Sequence, residues 1–263
     1  MYKIYSILLD HIIHNLKFLI GKRKFFFFSF INSILIFNRK SGFKVFKIRN
    51  FYDYITVREI FILECYNIEH LITYDQIKNY YSKILNNKKV PLIIDCGSNI
   101  GASPYYFKKE YSNSKIICLE PDLDNFKLLQ VNITDESLVK INKAISSDGR
   151  KFDMVKHTDD PRAFSTIIKD DGTVDSLSIK ELLSLYESKI YEPFLIKIDI
   201  EGGEHNLFSE NIDWIDKFKL IIIEPHDWMY PKKNLFNNFL KRISTLKRDF
   251  VILNENIISI RND

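Results

Sequence analysis

A short polar segment with two glycines is the part of this sequence best suited to hold a small ligand. It runs from Asp95 to Gly101 and follows an apolar stretch, residues 90–94, that is typical of a buried strand. Gly97 allows a tight turn, and Gly101 allows the next helix to begin close to a ligand and to the sheet. Backbone N–H groups at a helix start favour an anionic or carboxylate group. We therefore expect this segment to bind a cofactor through Asp95, Gly97, Ser98, Asn99 and Gly101.

An acid follows at the spacing that a nucleoside requires. Glu120 comes directly after a second apolar stretch, residues 115–119, about 20 residues beyond the glycines, where an acid can accept hydrogen bonds from both ribose hydroxyls. Dinucleotide folds carry G-x-G-x-x-G, whereas this loop reads D-x-G-x-x-x-G. An aspartate at the strand end suits an ammonium group better than a pyrophosphate. The pattern therefore favours S-adenosylmethionine, which combines an amino-acid tail with a ribose and an adenine.

Several segments together resemble the FkbM-type methyltransferases. The most specific is K-I-D-I-E-G-G-E at residues 197–204, which excludes most other methyltransferase groups. The resemblance covers roughly residue 45 to the C-terminus. It rests on residues 95–101, 119–121, 142–149, 197–204 and 223–226, together with a lead-in that contains Arg49, Asp53 and residues 59–66.

This resemblance implies a fold, a cofactor and a reaction. The fold would be α/β, a doubly wound and mostly parallel sheet of the class I, Rossmann-like methyltransferase type. The cofactor would be S-adenosylmethionine, and the reaction O-methylation, often of a sugar hydroxyl in a glycan or a glycosylated metabolite. It also adds Pro121 to the cofactor-binding residues. Ser147 and Asp148 could contact the adenine amine, although S-S-D-G is equally typical of a simple turn.

The candidates for catalysis follow two later apolar strands. Lys197 and Asp199 share one side of their strand, and a lysine in a buried strand requires a carboxylate partner, which we expect to be Asp199 or Glu201. This pairing could be purely structural or could serve catalysis. Transfer of a methyl group to a hydroxyl needs a base within hydrogen-bond reach, and Asp199, Glu201 or His226 could supply it. Histidine has the best-matched unperturbed pKa for that role.

The same region could bind a metal. Strand alternation places Glu224 and His226 on one side, and with Asp199 they form a set of oxygen and nitrogen ligands for a divalent ion such as magnesium. A metal would lower the pKa of a sugar hydroxyl. We slightly favour a metal-free site, which leaves Asp199 and Glu224 as candidate ligands only.

Other functions fit the sequence less well. An NAD-dependent sugar oxidoreductase or epimerase would be expected to carry G-x-G-x-x-G, and a non-catalytic binding protein on the same fold would not need this set of acids. The D-P-P-Y-type signature of amino-methylating enzymes is missing. The basic residues lie in a Phe-rich segment rather than in a stripe that could follow the phosphates of a nucleic acid. We therefore expect no nucleic acid as partner. Three cysteines without a C-x-x-C pair argue against a zinc site and fit a cytoplasmic location.

The basic residues of the chain are concentrated at its N-terminus. Residues 1–50 contain ten Lys and Arg and a single acid, Asp10, for a net charge of +9, so that the overall +4 leaves −5 for residues 51–263. Apolar residues recur at helical spacing over residues 3–20, and the apolar run at 25–37 is too short to span a membrane. We expect residues 1–44 to form a helical arm, a pair of helices that packs on the catalytic domain or on a second subunit. The alternative is contact with the inner face of the membrane.

The rest of the chain is expected to form one domain, residues 45–263. Apolar runs predict strands near 90–95, 115–120, 139–145, 194–199, 219–224, 249–253 and 257–261, with helices between them. The polar stretch between residues 150 and 176 predicts an inserted hairpin or loop over the active site.

Overall fold

The computed structural model describes residues 2–156, 164–169, 171–186 and 190–262. The N-terminal quarter holds α1 (Tyr2–Leu19), β1 (Phe25–Ser29), β2 (Ser33–Asn38), β3 (Gly42–Lys47) and α2 (Phe51–Phe61). The next elements are α3 (Tyr74–Asn86), β4 (Val90–Cys96), α4 (Ala102–Glu110), β5 (Lys115–Leu119), α5 (Leu123–Asn132), β6 (Leu138–Ile141), β7 (Ala144–Ser146), β8 (Phe152–Lys156), β9 (Phe164–Ile168) and β10 (Ser176–Ser178). The last part contains α6 (Ile179–Tyr186), β11 (Tyr191–Ile198), α7 (Glu204–Leu207), a 3₁₀ helix (Ile212–Lys217), β12 (Leu220–Ile223), α8 (Asn237–Ile243), β13 (Arg248–Leu253) and β14 (Asn256–Arg261).

A seven-stranded sheet organises the molecule, in the order β13-β14-β12-β11-β4-β5-β6. Strands β12, β11, β4, β5 and β6 are parallel, whereas β14 runs antiparallel to both of its neighbours. Chain order reverses beside β4, because β5 lies on one side of it and β11 on the other. Ligands of open α/β sheets bind outside the strand carboxyl ends at such a switch point. The expected doubly wound, mostly parallel α/β fold is confirmed, including its reversed end strand.

Both faces of this sheet are covered, which explains its continuous apolar strands. Side chains alternate between the faces: Ile93 and Leu195 face one side, while Ile94 and Ile196 face the other. The first side packs on the N-terminal elements and on α4, and the second packs on α6, α8 and the 3₁₀ helix. The site above the strand ends therefore rests on a sheet that is held from both sides.

The N-terminal segment differs from the expected pair of helices. The first helix is confirmed as α1, but the prediction of a second one was wrong, because β1, β2 and β3 form an antiparallel sheet over residues 25–47. Phenylalanine and isoleucine pack well on a pleated sheet. Both faces of this sheet carry apolar side chains, so the sequence lacks the alternation of apolar and polar residues by which a strand is normally recognised. The expected domain boundary after residue 44 lies within β3. The division into two domains stays a prediction.

The N-terminal sheet shares the main core of the molecule. Phe27 and Ile36 are fully buried in the same cluster as Ile93 of β4. Helix α1 lies along the free edge of β1, where Asn15 accepts a hydrogen bond from the N–H of Phe27 and donates one to its carbonyl oxygen. This side chain satisfies strand groups that an open edge leaves unpaired.

Two other expectations change in detail. The predicted strand at 139–145 is two strands: β6 belongs to the main sheet, whereas β7 pairs with β10 in a separate two-stranded sheet. The predicted hairpin is formed by β8 and β9, but Asp159, Asp160, Pro161 and Asp170 lie outside the described residues. Its position over the active site stays a prediction. No helix in the described ranges is long and apolar enough to cross a bilayer.

Candidate functional site

The glycine loop connects β4 to α4 and packs against the end of β11. Gly97 has a φ of +84°, and a Cβ atom there would lie 1.9 Å from the backbone oxygen of Asp199. Only glycine fits this turn, because both the backbone conformation and the space exclude a side chain. The approach places the loop directly beside the first residue after β11.

Glu120 holds the loop from the neighbouring strand. Its carboxyl oxygens accept hydrogen bonds from the N–H of Asn99, at 2.8 Å, and from the N–H of Asp122, at 3.0 Å. Asn99 has a φ of +47°, so this bond fixes an unusual backbone conformation in the loop. Burial raises the pKa of Glu120 to about 7, although the backbone donors partly offset the effect.

Lys197 links the loop to the acids and is almost fully buried. Its Nζ donates to the carbonyl oxygen of Gly97 at 2.6 Å and lies 3.1 Å from Asp199 and 3.4 Å from Asp95. Burial lowers the pKa of Lys197, but the two carboxylates outweigh it and the pKa lies above its ordinary value. The expected partner Asp199 is confirmed. The second partner is Asp95 rather than Glu201.

Asp95 lies below the surface of the site. It is fully buried, and its Oδ2 accepts a hydrogen bond from Ser103 at 2.7 Å. Burial raises its pKa, and the charge of Lys197 opposes that shift. Asp95 therefore shapes the loop from beneath.

His226 faces the acids at the ends of β11 and β12. Its Nε2 lies 3.5 Å from Glu201, 3.7 Å from Asp199 and 3.7 Å from Glu224. On the other side of the ring, Nδ1 is 2.5 Å from Glu204. Burial lowers the pKa of His226, but the hydrogen bond and charge of Glu204 reverse this and raise it to about 10. His226 is therefore cationic at neutral pH, which makes it a poorer base than its unperturbed pKa suggests.

Glu224 completes this cluster at the end of β12. Burial and the charge of Asp199 raise its pKa to about 9. One ligand atom from each of Asp199, Glu224 and His226 lies within 4.8 Å of the others, so the donor set has the size that a divalent ion requires. Lys197 already provides a positive charge beside Asp199, which reduces the need for an ion.

A cavity of about 410 Å³ opens above these residues, in the size range of small-molecule sites. It lies at the carboxyl ends of β4, β11 and β12, at the switch point of the sheet. Most of its polar lining consists of acids and amides. The predicted site residues in this lining are Gly97, Asn99, Lys197, Asp199 and Glu201, joined by the candidate metal ligand Glu224.

The remaining predicted residues take other positions. Ser98 and Gly101 are buried in the loop, and a Cβ on Gly101 would meet Ile133 of the chain after α5 at 2.7 Å. Pro121 accepts a hydrogen bond from Asn142 through its carbonyl oxygen. None of these three residues lines the cavity, and the same holds for Asp95, Glu120 and His226.

Ser147 and Asp148 follow β7, outside the main sheet. The N–H of Ser147 donates to Asn206 at 3.2 Å, and Asp148 forms an ion pair with Arg150. Neither belongs to the lining of the cavity. These contacts are those of the turn that S-S-D-G also predicts, and contact with an adenine stays a prediction.

The cavity also contains residues that motif reasoning did not single out. Helix α2 contributes Thr56, Glu59 and Ile60, and the turn between β13 and β14 contributes polar residues at its opposite wall. The lead-in resemblance at residues 59–66 was a signal for Glu59 and Ile60 but did not include Thr56. No sequence signal marks the second, which consists of Asn254, Glu255 and Asn256.

The sheet order, the glycine loop and the acid after β5 are those of a class I, Rossmann-like methyltransferase fold. Residues 95–252, which are 158 of the chain's 263 residues, match the family described as the methyltransferase FkbM domain. The chain therefore belongs to the FkbM methyltransferase family.

Solved methyltransferase structures are similar at low identity. An O-methyltransferase from Bacillus cereus, in complex with S-adenosylhomocysteine (SAH), is 13% identical over 81% of this chain and 92% of its own, with a TM-score of 0.39. A methyltransferase from Geobacter sulfurreducens is 12% identical over 81% and 91%, with a TM-score of 0.34. The 16S rRNA methylase ArmA is 12% identical over 81% and 97%, with a TM-score of 0.33. These similarities identify no acceptor. No curated protein sequence matches the chain.

Proposed function

We propose that this protein transfers a methyl group from S-adenosylmethionine to a hydroxyl oxygen of a carbohydrate, in a glycan or a glycosylated metabolite. The observation that carries the proposal is the cavity at the switch point, which joins the glycine loop to a group of acids. The loop and Glu120 provide the cofactor end, and the residues after β11 and β12 provide the reacting end.

The cofactor end fits an amino-acid nucleoside. The cavity is large enough for a small molecule, and Gly97 and Asn99 of the loop lie in its wall. Glu120 is outside this lining, but its carboxylate holds the N–H of Asn99 and keeps lone pairs beyond its bonds from Asn99, Asp122 and Asn125. A sulfonium supplies an activated methyl group. The protein then has to position the acceptor oxygen in line with that methyl and remove its proton.

We assign the removal of the proton from the acceptor hydroxyl to Asp199. It lines the cavity beside the loop and is partly exposed. Lys197, at 3.1 Å, and His226, at 3.7 Å, hold the carboxylate in place from two sides. Glu201 and Glu224 then form hydrogen bonds with the neighbouring hydroxyls. A polyhydroxyl acceptor suits this wall, because every acid and amide on it can pair with a hydroxyl group.

The test uses cells that lack this protein. Mass spectrometry of their glycans is expected to show the loss of one methylene unit of mass, and the wild-type gene is expected to restore it. The Asp199→Asn variant should fail to restore it while the purified variant still binds SAH, because the loss of a base reduces the rate by about 100-fold to 10,000-fold. Unchanged glycans in cells that lack the protein would refute a glycan acceptor, and full restoration by Asp199→Asn would refute the assigned base.

Two comparisons distinguish this function from its alternatives. Binding of NADH in place of SAH would indicate an oxidoreductase, and binding of SAH without any methylated product would indicate a binding protein. We also propose that the reaction needs no divalent ion. Dialysis against EDTA should leave methylation unchanged, whereas a loss that Mg²⁺ or Mn²⁺ restores would assign Asp199, Glu224 and His226 as metal ligands.

A further inference from the structure

Helix α1 carries an apolar stripe that no part of the described chain covers. Phe18 and His14 pack against the protein on one side of the helix. On the opposite side, large apolar residues recur three and four positions apart, and each is more than 40% exposed. A stripe of this kind normally faces a partner. It consists of Leu9, Ile12, Ile13 and Leu16, with Leu19 at its margin, and Ile20 continues it directly after the helix.

The outer face of the N-terminal sheet continues this apolar character. Phe43 and Val45 of β3 are exposed, and Phe43 packs on Phe37 of β2 with ring centroids 4.5 Å apart. Phe18 of α1 contacts Phe37 and also Phe26 of β1, each with a centroid distance of 5.9 Å. The helix and the outer face of the sheet therefore adjoin. We call the two together the N-terminal surface.

The charges of this surface are mostly positive, and its acid in α1, Asp10, pairs with Arg58. No Asp or Glu occurs between residues 11 and 52. Lys17, Lys22, Lys40 and Lys47 are exposed and form no ion pair within the described part of the chain. Arg39 lies over the ring of Phe18, with its guanidinium carbon 4.4 Å from the centroid, so that cationic and apolar groups meet directly.

A basic cavity adjoins the same surface. Its volume is about 430 Å³. Arg39 lies in its wall and also contacts the ring of Phe18. Two acids of its lining, Glu69 and Glu110, both lie within hydrogen-bond distance of Lys24, and Arg23 pairs with Glu64 outside the lining. The lining therefore carries a net positive charge, which favours the binding of a phosphate group. The cationic residues are Arg23, Lys24, Arg39, Lys40, Lys78 and Lys109.

We propose that the N-terminal surface binds an anionic lipid bilayer, with its apolar side chains in the interface and the basic cavity on the phosphate headgroups. An amphipathic surface with lysines at its margin gains both apolar burial and attraction to anionic lipid. A second copy of this chain fits less well, because a two-fold contact would bring two such surfaces together without an acid to neutralise them. The proposal is independent of the acceptor and of the cofactor.

The experiment is co-sedimentation of the purified protein with phosphatidylcholine vesicles, with and without phosphatidylglycerol. We expect binding only to the anionic vesicles, weakened by added salt. The double variant I12Q/L16Q should bind roughly tenfold or more weakly, because it removes two apolar side chains from the interface. K17Q/K22Q should bind about fivefold more weakly for each lysine.

Matched controls lie elsewhere on the surface. L185Q/L240Q changes two exposed leucines of α6 and α8, and K180Q/K241Q changes two exposed lysines of the same helices. Both should bind vesicles as the wild type does, and all four variants should keep the wild-type thermal unfolding midpoint.

Three results would overturn the proposal. The first is equal sedimentation of the wild type with neutral and anionic vesicles, or with neither. The second is equal loss of binding in variant and control pairs. The third is a lipid-free dimer, seen by sedimentation velocity, that I12Q/L16Q dissociates, because it would assign the surface to a second copy.

Discussion

The cavity and the N-terminal surface differ in how their charged side chains are paired. Around the cavity, Lys197 and His226 lie within 4 Å of Asp95, Asp199 and Glu204, so these charges are paired and held in fixed positions. On the N-terminal surface, lysines lie beside exposed phenylalanine and leucine, and no acid occurs between residues 11 and 52. The first arrangement preorganises a small site, and its parts are sensitive to single changes. The second arrangement tolerates single substitutions, because its exposed side chains serve contact with a partner outside the chain rather than the fold.

Two glycines make the sharpest test of this difference. Gly97 and Gly42 both have positive φ, but a Cβ on Gly97 would meet the backbone of Asp199, whereas a Cβ on Gly42 would meet nothing within 4 Å. Gly97→Ala should lower the free energy of unfolding by about 4 kcal/mol, from strain and overlap together. Gly42→Ala should lower it by only about 1 kcal/mol. Urea denaturation of both variants measures this, and equal effects would contradict the close approach of the loop to β11.

The buried ion pairs give the next effect in size. Lys197→Met should lower the free energy of unfolding by about 3 kcal/mol, because it leaves the carboxylate of Asp95 buried without a cation. The double variant Lys197→Met/Asp95→Asn should be less destabilised than the sum of the single changes, since it removes both charges. Additive single effects would show that the two residues do not interact.

Glu120 provides a pH test of the cofactor end. Its pKa is raised to about 7, so the carboxylate that would accept ribose hydroxyls becomes protonated as the pH falls through that value. Calorimetry should show the affinity for SAH falling by up to about tenfold per pH unit below pH 7, and approaching a constant value above it. The Glu120→Gln variant should bind weakly and without this slope. A wild-type slope that persists in the variant would assign the titration to another group.

The smallest effect is expected on the N-terminal surface. Phe43 is 71% exposed, so Phe43→Ala should change the free energy of unfolding by less than about 0.5 kcal/mol. Phe27, which is fully buried in the same sheet, is the control, and Phe27→Ala should cost about 3 kcal/mol. Thermal unfolding of both measures this. A large effect at Phe43 would mean that the outer face serves the fold rather than a partner.

The sequence was most informative where local rules decide the structure. Apolar runs that end in acids predicted the main strands and placed Asp199 and Glu224 at one edge, and the cost of a buried lysine predicted a carboxylate beside Lys197. These inferences depend on burial and on strand direction, both of which a short segment encodes.

The missed features depend on packing between distant segments. The N-terminal sheet was expected to be helical because apolar residues on both faces conceal the alternation of β1 and β2. The contact of His226 with Glu204 joins residues 22 positions apart, and it changes the expected pKa of the histidine from near neutral to about 10. The polar wall formed by residues 254–256 belongs to a turn with no motif of its own.

The central claim is that the cofactor binds at the glycine loop, between Glu120 and the cavity that Gly97 and Asn99 line, and a crystal structure of the protein with SAH tests it most directly. The account predicts the nucleoside at the glycine loop, with both ribose hydroxyls within hydrogen-bond distance of the Glu120 carboxylate and the sulfur at the mouth of this cavity, facing Asp199. SAH bound elsewhere, or a different molecule in this cavity when SAH is present in excess, would contradict the account.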